Sequence, residues 1–134
     1  MAYWLLKSDP ETYSFQDLVR DKVTFWDGVR NYQARKFLKE MKKGDRAFIY
    51  HSQEEKSVVG AAKVTRGAYP DPTDKTGEWV VVDLEAGKAA KNAVTLEAIK
   101  KDAVLKTLPL VRQSRLSVMP VSEPQAERLN ELLY

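Results

Sequence analysis

The residues best equipped for chemistry cluster in Phe25–Arg35, which reads FWDGVRNYQAR. Trp26 offers a flat ring for stacking. Asn31 offers an amide that both donates and accepts, and Arg30 and Arg35 carry guanidiniums shaped for phosphate. The strand-like run KVTFW ends at Trp26, and Asp27-Gly28 turns the chain. Asn31 can cap a helix whose apolar residues Ala34, Phe37, Leu38 and Met41 recur at helical spacing. Strand, turn and capped helix therefore bring ring, amide and cations toward one rim. Burial for packing is the ordinary fate of a tryptophan, so a functional reading depends on the company Trp26 keeps.

That company is aromatic and polar. Tyr50 lies in a strand, Tyr69 precedes Pro70, and Trp79 opens a strand. Rings at the ends of elements can form a slot that stacks a planar base, worth ~1–3 kcal/mol per base. Ser8, Asn31 and Ser52 are small polar groups suited to a base edge, while Arg112 and Arg115 flank Gln113-Ser114 and can hold phosphates.

Catalysis is less well served. His51 and Ser52 are neighbours on a predicted strand, so their side chains should face opposite ways, unlike a base and its nucleophile. No G-x-S-x-G, phosphate loop, dinucleotide fingerprint or metal motif is present. Asp9, Asp27 and Asp71 are available for acid–base work, but nothing marks a pair. The chain has no cysteine and 1 histidine, which argues against a zinc site. We therefore expect no cofactor and no structural metal.

The 134 residues suit one domain with a real core, spanning 1–134. Hydrophobic residues make up 43% and charged residues 31%, as in soluble globular proteins. No apolar run approaches the ~20 residues of a membrane span, and AYWLL is too short for a signal-peptide core. These features point to a cytoplasmic protein with no membrane partner, expected as a monomer. A net charge of +3 suits a nucleic-acid partner without establishing one.

The elements follow from period and punctuation. Strands are expected at Tyr3–Lys7, Arg46–Ser52, Val58–Arg66, Trp79–Leu84 and Leu116–Val121. Helices are expected at roughly 14–20, 31–42 and 122–133, with a short one at Thr95–Lys101. Tyr69-Pro-Asp-Pro72 reads as a rigid loop, and Ala86–Asn92 as loop or frayed strand. Gly60-Ala61-Ala62 leaves room for another element or a ligand to approach the backbone. Strands interrupted by short helices, without βαβ alternation, indicate an α+β protein with a small mixed sheet, bent or closed into a barrel.

Several segments together resemble the EVE domain family: YWLLKSDP, FWDGVRNYQARKFLKEMKKGD, IYHS with VVGAAKV, AYPDP, and LVRQSRLSVMPV. They occur in order over nearly the whole chain, so the resemblance covers the full domain. It implies a PUA-like mixed β-barrel of about five or six strands with surrounding short helices, related to the YTH domain that reads methylated adenine in RNA. It also implies a non-catalytic reader of modified bases, with modified cytosine in DNA the leading ligand.

By this resemblance Lys7 and Ser8 end the first strand facing the base, and Trp26 forms one wall of an aromatic cage. Asn31 and Tyr32 begin the helix beside that wall, and Tyr50, His51 and Ser52 match a strand end. Tyr69, Pro70 and Asp71 would supply the opposite wall, where YTH relatives place a tryptophan that this chain lacks. Val29, Tyr50 and the Tyr69-Pro70 loop would shape a niche for the added group. Arg112, Ser114 and Arg115 would lie over the pocket mouth, with Arg30 and Arg35 as further backbone contacts. Trp79 matches a buried strand tryptophan and is assigned to the core. Phe37 and Leu38, on the inner face of their helix, and Phe48 and Ile49, in a predicted strand, are assigned there from the pattern of the residues. Alternative readings are an RNA-binding accessory domain for rRNA or tRNA modification, and a small nucleotide-processing hydrolase on the same scaffold.

Overall fold

The computed structural model describes residues 1–134. Its helices start where short polar side chains take over orphan backbone amides. Ser14 Oγ accepts from the Asp17 amide at 3.0 Å, while the Asp17 carboxylate accepts from the Ser14 amide at 2.9 Å. This capping box opens α1 (Phe15–Asp21). Asn31 Oδ1 accepts from the Ala34 amide at 2.9 Å and opens α2 (Tyr32–Glu40). Thr95 caps α3 (Leu96–Lys101). A short α4 (Pro109–Arg112) follows, and a second capping box, Ser122 with Gln125, opens α5 (Glu123–Leu133). Expected and observed helix limits differ by one or two residues, the usual fraying distance.

Six strands form one mixed sheet: β1 (Tyr3–Ser8), β2 (Val23–Phe25), β3 (Arg46–His51), β4 (Ser57–Pro70), β5 (Val80–Thr95) and β6 (Val118–Val121). Their order is β2-β5-β4-β3-β1-β6, with β1–β3 the one parallel pair. The sheet is bent but not closed into a barrel, which corrects the closed form of the expectation. β2 is three residues long and largely exposed, too short to continue the ladder. At the other edge, Pro120 in β6 has no amide hydrogen to offer another strand. The bend comes from repeated register shifts between β4 and β5 near Val58, Gly60, Val64 and Arg66.

Those two strands also run further than their apolar runs suggested. Tyr69 and Pro70 are paired with Val81 and Val80, so they end β4 and form no loop. Ala86–Asn92 is likewise strand, as part of β5. Cross-strand hydrogen bonds can hold small and polar residues in a ladder that single-sequence patterning cannot detect.

One core lies between sheet and helices, with Leu5, Leu6, Phe15, Leu18, Leu38, Phe48 and Ile49 buried in it. The approach expected at Gly60 is made by Phe15, whose ring crosses the space a side chain would need. Phe37 is only partly buried, tilted against Trp4 with ring centroids 6.1 Å apart. Phe37→Ala should therefore destabilise by less than the ~3–5 kcal/mol of a fully buried phenylalanine, as denaturant unfolding would measure.

Trp79 is not a core residue. It lies half-buried where the 71–79 turn meets β5, with its ring 5.2 Å from that of Tyr32. The Arg35 guanidinium lies 5.2 Å and that of Arg30 5.6 Å from the Trp79 ring. Arg35 also donates to the Glu78 carbonyl at 2.8 Å. This arrangement clasps the turn to α2. The turn itself is organised by Asp74, whose carboxylate accepts from the amides of Trp79, Thr76 and Glu78 and from the Thr76 hydroxyl.

Those bonds, led by the Trp79 amide, hold the Asp74 carboxyl down at about 2. Asp45 is also lowered. Burial pushes it up, but donation from Trp4 Nε1 and the Ala2 and Lys42 amides outweighs that. A depressed folded pKa adds stability that is complete above the unfolded carboxylate range of about 4 and is lost as pH falls through the folded value. Melting temperature should therefore fall as acid is added from about pH 4 toward about pH 2. Asp74→Asn should make that acid-side slope shallower, as thermal melts along a pH series would check.

Candidate nucleic-acid interface

A pocket of about 440 Å³ is lined by the ends of two strands that are not paired with each other, Lys7 and Ser8 of β1 and Thr24 and Phe25 of β2. β2 delivers its wall. Val23, Thr24 and Phe25 pair with Glu85, Leu84 and Asp83 of β5, and the Trp26 amide extends the ladder by donating to the Val82 carbonyl at 2.8 Å. Gly28, at φ +77°, then turns the chain, so that Trp26, Asp27 and Val29 all face the opening. Trp26 is 7% exposed, packed into the core on one side while still lining the pocket.

The second aromatic wall is Tyr13, which the sequence reading missed. Its ring stands at 86° to that of Trp26, with centroids 6.1 Å apart. The Tyr13 hydroxyl donates to the Asp21 carboxylate at 2.8 Å, and the Ser8 hydroxyl donates to the Tyr13 carbonyl. A sequence signal was available, because Tyr13 immediately precedes the capping Ser14, where a hydrophobic residue often packs and fixes the chain's entry angle. Asp9, Thr12, Thr24, Phe25 and Ser117 also line the pocket and were not singled out as ligand contacts.

Of the residues expected to face a ligand, Lys7, Ser8, Trp26 and Val29 meet here. Lys7 donates from Nζ to the Ser114 carbonyl at 2.7 Å, and its Nζ lies 5.9 Å from the centre of the Tyr50 ring. Burial lowers the pKa of its ammonium and raises that of the Tyr50 phenol. Tyr50 is buried beneath and does not line the pocket.

The remaining candidates lie outside the lining for identifiable reasons. His51 Nε2 accepts from the Phe15 amide at 2.9 Å, which puts the ring proton on Nδ1, facing Glu55 at 3.1 Å. The Ser52 amide and hydroxyl both donate to the Ser8 carbonyl, at 2.9 and 3.2 Å. Ser52 thereby braces Ser8 of the pocket, while His51 ties the start of α1 to the end of β3. The Asn31 side-chain oxygen caps α2, and Tyr32 stacks outside on Trp79. Tyr69 donates its hydroxyl to Asp83, and the Arg66 guanidinium lies 3.8 Å from its ring centre. Pro70 is in β4, so neither residue forms the opposite wall expected of them.

Asp71 is buried and serves the loop instead. It accepts from the Thr73 amide at 2.7 Å, from the Thr73 hydroxyl at 2.6 Å and from Arg30 at 3.1 Å. Burial raises the pKa of its carboxyl, but these bonds and the Gly28 amide outweigh that and leave it below the ordinary range. It thereby ties the Trp26–Val29 turn to the β4–β5 connection. Arg30 is ion-paired with Asp71 and Arg35 is held by the Glu78 carbonyl, whereas Arg112 and Arg115 are exposed and form no ion pair. The segment carrying them is held at the pocket by the bond from Lys7 to Ser114 and by Ser117 in the lining.

The family model of the EVE domain matches residues 2–132. Thymocyte nuclear protein 1 of Gallus gallus is 34% identical over 158 aligned positions, covering 92% of this chain and 65% of that protein. The chain thus spans about two thirds of the length of this curated relative. Among solved structures, a Rhodopseudomonas palustris protein superposes with a TM-score of 0.93 at 43% identity, covering 99% of this chain and 93% of that one. The human THYN1 protein, solved in complex with 5-methylcytosine-containing DNA, superposes with a TM-score of 0.89 at 32% identity, covering 98% of this chain and 97% of that one.

Proposed function

The chain belongs to the EVE domain family, and from that premise we propose that it is a non-catalytic DNA-binding reader that holds a modified base, a modified cytosine above all, in the pocket between Trp26 and Tyr13. The observation that carries this reading is the pair of rings at 86° over a cavity also lined by hydroxyl, ammonium and carboxylate groups. One ring can stack on a base while the other closes its edge, and the polar groups can hydrogen-bond its rim. A cavity of about 440 Å³ also falls within the usual range for small-ligand sites. The superposable human THYN1 protein bound to 5-methylcytosine-containing DNA supports both the partner and the modification.

A base within a duplex must leave the stack to enter such a pocket, at a cost of a few kcal/mol. Phosphate contacts can offset that cost. Arg112 and Arg115 are the exposed, unpaired cations beside the pocket mouth. Replacing either with alanine should weaken binding to every sequence alike and reduce the salt slope by about 1. An unchanged slope would remove them from the interface.

The direct test is titration of the protein into matched oligonucleotides that differ only in one cytosine, modified or not, at fixed salt. Tighter binding of the modified oligonucleotide is expected. Equal affinity for the two would end the reader hypothesis.

A further inference from the structure

We infer that Asp9 reads the amino group at position 4 of the captured base, and so separates a 5-methylated cytosine from thymine. The inference rests on the proposed reading of the pocket and specifies how it chooses its base. Thymine carries the same 5-methyl group and the same flat ring, and it is abundant in all DNA. Stacking on Trp26 and a niche for the methyl group therefore cannot tell the two apart. They differ at position 4, where cytosine presents an N–H₂ donor and thymine a carbonyl acceptor. A group that only accepts hydrogen bonds is needed to separate them.

The pocket's hydroxyls, on Ser8, Thr12, Thr24 and Ser117, can turn to donate or accept and so discriminate weakly. Lys7 only donates, which suits the ring oxygen that both bases share. Two acceptor-only side chains remain in the lining, Asp9 and Asp27. Asp27 is exposed and makes no protein hydrogen bond, so nothing aims its carboxylate. Asp9 is half-buried and held. Its main-chain carbonyl accepts from the Thr12 amide at 3.0 Å and the Tyr13 amide at 2.9 Å, and its Oδ1 accepts from the Glu11 amide at 2.9 Å. Oδ2 has no protein donor and is left for a ligand. Because the same turn carries Tyr13, the second wall and this carboxylate are placed together. Specificity needs that kind of prior placement.

The experiment measures binding to single-stranded oligonucleotides, which removes the different pairing energies of the two bases. The central base is 5-methylcytosine, cytosine or thymine. Wild type should prefer 5-methylcytosine to thymine by about ten- to a hundred-fold, the range of one hydrogen bond to a charged acceptor. Asp9→Asn keeps an oxygen for the Glu11 amide but adds a donor, so the preference should collapse toward unity with the melting temperature unchanged. Asp9→Ser, which can form the same turn, serves as the second variant should the amide perturb folding.

A 5-methylcytosine-to-thymine ratio that survives in both variants would overturn the inference. So would a ratio that collapses in Asp27→Asn and persists in Asp9→Asn, or a wild type that binds the two bases equally. Loss of the 5-methylcytosine-to-cytosine preference in wild type would instead overturn the reader proposal itself, so the two failures are distinguishable.

Discussion

Phe15→Ala is expected to destabilise the protein by about 3–5 kcal/mol, much of the 5–15 kcal/mol that typically separates folded from unfolded. Its ring is 2% exposed and lies where three elements meet. Phe15 opens α1, its amide donates to His51 at the end of β3, and its ring covers Gly60 of β4. A Cβ added at Gly60 would lie 2.5 Å from the ring, and Gly60 itself has no side chain to fill the space that alanine at position 15 leaves. The reverse change, Gly60→Ala, should expel the ring and cost about 1–3 kcal/mol through overpacking. Urea unfolding with an unchanged m-value would measure both. Because the turn before α1 carries Tyr13 and Asp9, Phe15→Ala should also weaken ligand binding. A Phe15→Ala protein of wild-type stability would show that this junction is not where the sheet and α1 are held.

The second large effect concerns Trp26, and it appears in two observables. Its indole is almost wholly covered, so Trp26→Ala should lower stability by about 3 kcal/mol or more through lost packing. It should separately lose ~1–3 kcal/mol of affinity for the captured base, the worth of one stacking ring. Alanine alone cannot separate these losses, because a loosened β2 would also misplace the pocket. Trp26→Phe divides them, since a smaller ring retains much of the packing and part of the stacking surface. Melting near wild type with reduced affinity is the expected outcome. If Trp26→Phe bound modified oligonucleotides as tightly as wild type, Trp26 would belong to the core alone. Tyr13→Ala provides an independent check, because its ring is only half-buried. It should cost affinity with a smaller loss of stability.

What the sequence determined by itself was local. Ser14, Asn31, Thr95 and Ser122 each announced a helix start, because a cap is a bond between a side chain and an amide two or three residues away. The mixed α+β class followed from strand and helix periods, and the open space at Gly60 from its missing side chain. The order of EVE segments identified the family and placed Lys7, Ser8 and Trp26 near one another.

Tertiary structure decided what depends on partners remote in sequence. β4 extends to Tyr69 and Pro70 only because β5 offers a ladder, and the sheet stays open because β2 is short and β6 contains Pro120. Trp79 leaves the core because Tyr32, Arg30 and Arg35 gather around it at the surface. The second wall of the pocket is Tyr13 rather than Tyr69 because the β1–α1 turn folds back on Trp26, while Asp83 and Arg66 hold Tyr69 elsewhere. Residue types show which groups can stack, donate or accept. Whether they are free to do so depends on the bonds the fold has already made with them.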